Sequence, residues 1–186
     1  MSVVFCCLKN CFDGIGLSQN NLPRREVNPI VLDTGHMGHE VVVVKSGQRI
    51  CGSGGALASA PLVQSKAYFE VKIQQSGLWG VGLATRNTDL NQSPGGHDAE
   101  SWVLCWDGVF RHNNTELNKI QDCAQEGDIL GVSYDHIELN FFINGKPTDS
   151  PMTGIRGSVY PALYEARLFL GNRFVIDSTY YVNNGL

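Results

Sequence analysis

The densest set of metal-capable side chains is His36-Met37-Gly38-His39-Glu40. Two imidazoles three positions apart, with a carboxylate after the second, could hold zinc if a helix set them on one face. Gly35 and Gly38 oppose that helix. No further ligands follow at metal-site spacing, so the pair reads as loop histidines, and no metal or other cofactor is expected. Cys51, Cys105 and Cys123 lie in or beside apolar runs, where a free thiol serves as a small apolar filler. No local feature predicts a lowered thiol pKa. Hydrolase chemistry would need a nucleophile set against a base, and neither a Gly-x-Ser-x-Gly elbow nor a coherent acid pair occurs. Gly52-Ser53-Gly54-Gly55 and Gly95-Gly96 lack the lysine and following helix of a phosphate loop, and both read as loops. The expectation is therefore a protein that catalyses nothing.

Residue types suited to binding are better represented. The segments Thr85 to Ser101 and Asn113 to Asp128 are too long for simple hairpins, and long loops on a rigid scaffold are a usual place for recognition. Within or beside them Arg86, Asn91, His97, Arg111, His112 and Asn113 are the candidate partner-binding residues. Trp102 and Trp106 would add an aromatic floor if exposed, although bulky rings in strands usually face inward. Their even spacing places both on one face, which predicts a shared fate. Arg111-His112-Asn113 also permits a second reading, a lectin-like sandwich that binds carbohydrate. At the other end of the chain Cys6, Cys7 and Cys11 crowd beside apolar residues. Cys6 and Cys7 are candidate palmitoylation sites, since two acyl chains suffice for stable anchoring. Ser2 excludes the N-terminal glycine that myristoylation requires.

Composition limits the elements that can position these residues. At 186 residues, with 21 glycines and 17% charged residues, one domain rich in tight turns is expected. A net charge of −4 carries no basic stripe for phosphate, which argues against nucleic acid. No segment approaches the roughly 20 apolar residues of a membrane span. The N-terminus lacks a signal-peptide pattern, and the unevenly spread cysteines suit free thiols in a reducing compartment. A cytoplasmic monomer is expected, with peripheral membrane association if the cysteines are acylated.

Residues 1–26 show no periodicity and read as a mobile cysteine-containing lead-in; residues 27–186 read as a single domain. Val41 to Val44 predicts a strand that turns at Ser46-Gly47 into a second from Gln48 to Cys51. Tyr68 to Ile73 alternates, sending Phe69, Val71 and Ile73 to one face and Glu70 and Lys72 to the other. Trp79, Val81 and Leu83 share one side of the next strand, while Gly80, Gly82 and Ala84 leave the opposite side bare for close packing. Asp107-Gly108 and Asn144-Gly145 predict hairpins between Trp102–Trp106 and Val109–His112 and after Ile137–Ile143. Ile129 to Tyr134, Val159 to Leu163 and Arg173 to Asp177 supply further strands. Helical turns are expected at most within Glu116 to Ala124 or Tyr164 to Leu170. Such short strands joined by hairpins predict an all-β antiparallel sandwich.

Tyr68-Phe69-Glu70-Val71, the run Gly77 to Ala84, Gly127-Asp128-Ile129-Leu130-Gly131-Val132 with Tyr134-Asp135, Leu139 to Gly145 and Val159-Tyr160-Pro161-Ala162 occur in that order. The ordered set resembles the SPRY domain family and spans roughly residues 31 to 163. The resemblance implies a bent antiparallel two-sheet β-sandwich of the concanavalin-like jelly-roll kind. It also implies recognition of short protein segments through loops at one end, and no cofactor. Ubiquitin-ligase members carry a RING or SOCS box beside the domain, for which this chain has no room. After about Tyr164 the sequence departs from the family pattern.

Overall fold

A computed structural model describes residues 30–166 in full and the backbone of residues 176–181. The lead-in at residues 1–26, including Cys6, Cys7 and Cys11, lies outside the described residues. Among those described there is no helix, only strands: β1 (Leu32–Met37), β2 (Glu40–Val44), β3 (Arg49–Ala58), β4 (Ala67–Ile73), β5 (Leu78–Ala84), β6 (Ser101–Cys105) and β7 (Val109–His112). They continue as β8 (Thr115–Lys119), β9 (Ile129–Tyr134), β10 (Glu138–Ile143), β11 (Lys146–Pro147), β12 (Met152–Thr153), β13 (Tyr160–Ala166) and β14 (Ile176–Tyr181). All pairings are antiparallel.

Two sheets result, and β3 belongs to both. Its first half pairs with β2 and β14, beside β4, β9 and β10. Its second half pairs with β1 and β13, beside β5, β6, β7 and β8. The changeover falls on Gly52-Ser53-Gly54-Gly55, which the sequence reading had as a loop. Gly52 and Gly54 sit at φ of +115° and +127°, a conformation that side-chain-bearing residues rarely adopt. The strand thus bends from one sheet to the other without ending, which local composition alone cannot distinguish from a loop. β14 occupies the slot between β3 and β4. The chain thus completes the sheet of β2, β4, β9 and β10 with a strand that lies beyond the point where the family pattern fades.

The alternation in β4 emerges as read: Phe69, Val71 and Ile73 are buried in the layer between the sheets with Trp79, Val81, Leu83, Leu104, Leu130, Val132 and Phe141. Two further regions differ from the sequence reading. Glu116 to Lys119 extends as part of β8 rather than turning helically, because Asn113 and Asn114 adopt φ of 50° and 55° and fold the chain into a tight hairpin after β7. The expected long loop from Asn113 therefore begins only after Lys119. Likewise Tyr164 to Ala166 completes β13, held between β3 and β5, rather than starting a helical turn, and residues 167–170 of that expected turn lie outside the described residues.

Candidate functional site

The bare face of β5 positions the site. Gly80, Gly82 and Ala84 point away from the inter-sheet core, and the loop from Thr85 to Glu100 folds back over this outer face. A side chain at Gly80 would bring its Cβ within 1.9 Å of the Pro94 carbonyl oxygen, so glycine there is what allows the loop to lie flat. Beneath it a second apolar cluster forms from Leu57, Ala84, Leu90, Val103, Cys105, Tyr160, Ala162 and Tyr164. Leu90 inserts its side chain, and its carbonyl accepts a hydrogen bond from the Gly55 amide at 2.7 Å.

Asp98 organises the loop from within. Its Oδ2 accepts from the Thr88 hydroxyl at 2.9 Å and the Asp89 amide at 2.8 Å. Its Oδ1 accepts from the Glu100 amide at 3.0 Å and the Ser101 hydroxyl at 2.9 Å. Burial opposes ionisation of this carboxyl, but the hydrogen bonds outweigh it and hold Asp98 below the usual carboxylate value of 3.8. The Asp98 carbonyl accepts from the Asn113 amide at 2.9 Å, which fastens the β7–β8 turn to the loop. Sequence reasoning missed Asp98. An isolated aspartate in a polar segment carries no signal of its four donors, two of which come from Thr88 and Asp89, nine or more positions away.

The predicted site residues divide by how they are held. Arg86 is exposed, at the start of the loop. Its Nε donates to the Tyr160 hydroxyl at 2.9 Å, and its guanidinium lies 4.8 Å from that ring's centroid. Its Nη1 lies 2.8 Å from His36 Nε2, while His36 Nδ1 lies 2.8 Å from Asp33 Oδ2. An arginine can only donate, so Nε2 accepts and Nδ1 carries the proton towards Asp33. His36 thus stands between a carboxylate and a guanidinium. His39 stands apart, exposed in the β1–β2 turn. Its amide donates to Asn91 Oδ1 at 2.9 Å, so the two histidines singled out for metal chemistry are used separately. Among the described residues no three metal-capable side chains converge.

Asn91 is exposed on the same loop, with its amide bonded to Asp89 Oδ1 at 3.0 Å. His97 faces the β7–β8 turn, its Nδ1 lying 3.5 Å from Asn114 Oδ1, and Asn113 is exposed in that turn. The structure brings His97, His112 and Asn113 together around Asp98. Arg86 lies on the other stem of the loop. His112 is partly buried, stacked on Trp102 with ring centroids 4.6 Å apart, and its Nδ1 lies 2.9 Å from the Ser101 carbonyl.

Arg111 is committed within the fold. It makes a two-pronged contact with Asp107 at 3.1 and 2.7 Å and reaches Glu116 at 3.2 Å. Burial disfavours its charge, yet its contacts with Asp107 and Cys105 together outweigh this and raise the arginine's pKa. The guanidinium covers Trp106 at 5.5 Å from the ring centroid. Trp102 and Trp106 therefore do not share a fate. Trp102 is buried within β6, whereas Trp106 lies just beyond that strand and is half-buried under Arg111. Trp102 offers no open face, whereas Trp106 has one face under Arg111 and also lines a small open pocket with Leu78 and Trp79. The remaining thiols are Cys51 and Cys123, both half-buried, and Cys105, which burial pushes up to about 12. A thiol so reluctant to ionise is a poor nucleophile at neutral pH.

Comparison with known proteins agrees with this architecture. A family model described as "SPRY domain" matches residues 66–166. SPRY domain-containing protein 7 of Bos taurus is 52% identical over 163 residues, covering 87% of this chain and 82% of that protein. The Homo sapiens protein of the same name gives the same identity and coverage. SPRY domain-containing SOCS box protein 3 of Xenopus laevis is 30% identical over 118 residues, covering 57% of this chain and 32% of that protein. Among solved structures, the SPRY domain of human HERC1 superposes with a TM-score of 0.61 at 16% identity, over 80% of this chain and 97% of that one. With strand order, bent two-sheet form and sequence all in agreement, the chain belongs to the SPRY domain family.

Proposed function

We propose that this chain is a non-catalytic binding domain that holds a partner protein through the Thr85–Glu100 loop and the adjoining β7–β8 turn. The observation that carries this reading is the preorganisation of that loop. Asp98 inside, Leu90 beneath and Gly80 below fix its backbone, while Arg86, Asn91, His97 and Asn113 keep polar groups near or on the surface. A recognition surface whose geometry is already set loses little conformational entropy on binding. SPRY domains commonly serve as protein-interaction modules, which favours the same reading. Arg111 and His112 act in it as positioning residues, since their donors are spent on Asp107, Glu116 and the Ser101 carbonyl. The carbohydrate reading draws no support from Trp102, which is buried against His112, and Arg111 covers one face of Trp106. Acylation at Cys6 and Cys7 belongs to the proposal as a means of bringing a cytoplasmic domain to a membrane surface. Affinity capture tests the binding role: partners recovered on the intact chain should be lost from an Arg86→Gln/His97→Ala bait. If every partner persists equally on both baits, this assignment is wrong.

A further inference from the structure

Beside the loop lies an open trough of about 410 Å³, lined by Thr85, Arg86, Glu100, Arg156, Ser158 and Tyr160 among others. We propose that this trough receives an acidic segment of a partner polypeptide, with Arg86 and Arg156 gripping its carboxylates. The inference rests on the protein-binding role proposed above and names the chemistry of the partner.

Three observations support it. Arg86 is held in place by the Tyr160 phenol and a ring nitrogen of His36, with the Asp33 carboxylate acting on it only from behind that ring. Those bonds use Nε and Nη1, which leaves Nη2 to donate, and no carboxylate of a described residue stands within ion-pair distance of this guanidinium. Its position is fixed without a direct ion pair, which suits a group that binds an external anion. Arg156 is exposed and its side chain makes no hydrogen bond or ion pair to any described residue. Third, the single acid in the lining, Glu100, is turned to accept a hydrogen bond from the Thr85 hydroxyl. The trough thus holds two guanidinium groups against one carboxylate, in a chain whose net charge is −4.

The class of ligand follows from this balance. The Glu100 charge on the same wall disfavours a phosphate dianion, and a polynucleotide would meet the overall negative charge of the chain. Monoanionic carboxylates on an extended peptide fit both the charge and the open shape, and the arginine fork matches carboxylate geometry with two parallel bonds.

The test is selection of a random displayed peptide library on the intact chain, followed by titration of the selected peptides against Arg156→Gln and Arg86→Lys variants. Arg156→Gln breaks no internal contact, so its fold provides the clean comparison. Arg86→Lys keeps the charge and removes the fork. The expected result is enrichment of Asp and Glu, binding that weakens with salt, and roughly tenfold weaker affinity for Arg156→Gln. Selected peptides that lack acids, or that bind both variants as tightly as the parent, overturn the acidic-segment proposal and leave the binding role standing. A library that yields no specific peptide at all counts against both.

Discussion

Asp98→Ala is the most informative perturbation of the loop. The substitution strands four donors: the Thr88 and Ser101 hydroxyls and the Asp89 and Glu100 amides. The Asp89 amide lies at an exposed position and can recover a water, whereas the other three are partly buried. A donor left without its charged acceptor costs about 1 kcal/mol or more where water reaches it poorly, so the total is on the order of 3 kcal/mol. Asp98→Asn keeps one accepting oxygen and should lose roughly half as much. Chemical denaturation reads the global term. Amide hydrogen exchange at Gly55, Gly96 and Asn113, which bond to the Leu90 carbonyl, the Ser101 hydroxyl and the Asp98 carbonyl, reads local opening. The expected pattern is lower stability with an unchanged denaturant slope, and faster exchange at those three amides ahead of the β4–β9 ladder. A loss under about 0.5 kcal/mol, with unchanged exchange at all three, would refute the view that this carboxylate organises the loop.

Other outcomes follow from the same contacts. The Asp98 carboxyl titrates below its unfolded value of 3.8, so its contribution is fully present above that value and is lost as pH falls through the lower, folded value. Loop protection, taken relative to intrinsic amide exchange at each pH, should therefore be constant through neutral pH and fall only under acid conditions, and a fall that begins near neutral pH would contradict this. Gly80→Ala places a Cβ against the Pro94 carbonyl and should cost about 2 to 3 kcal/mol, measured by thermal or urea unfolding, with the loop displaced. Arg111→Lys loses the two-pronged contact with Asp107 and the cover over Trp106. It should alter tryptophan emission, cost about 1 kcal/mol, and weaken partner capture less than Arg86→Gln/His97→Ala does. Labelling cells with a palmitate analogue should give a signal on the parent chain that Cys6→Ser/Cys7→Ser removes; an undiminished signal on the variant discards acylation at these sites.

The sequence made the fold legible where each strand carried its own periodicity. The alternation in β4, the one-sided glycines of β5 and the Asp107-Gly108 and Asn144-Gly145 turns all map directly onto observed pairings. It misled where a long-range partner overrides local chemistry. Gly52-Ser53-Gly54-Gly55 looks like a loop, yet it is extended because strands flank it on both sides at the bend between sheets. The Asn113-Asn114 turn was hidden because asparagine pairs signal tight hairpins less strongly than Asn-Gly does, and β8 beyond it is exposed along its whole length. For the site, residue type was enough to pick out Arg86, Asn91, His97 and Asn113 as polar groups in or beside a long loop. Residue type could not show that Arg111 is bound internally, because its partners arrive through hairpin geometry. Asp98 was invisible for the related reason that its importance lies in how many donors converge on it, and convergence is a property of the folded backbone.

The account's central claim is that the Thr85–Glu100 loop, with the β7–β8 turn beside it, is the binding face. Amide hydrogen exchange of the chain, free and in complex with a captured partner, tests this most directly. The account predicts added protection at residues 85–100 and 113–114, with the opposite edge formed by β10 and β11 unchanged. Protection confined to that opposite edge or to β2, with the loop exchanging as in the free chain, would contradict it.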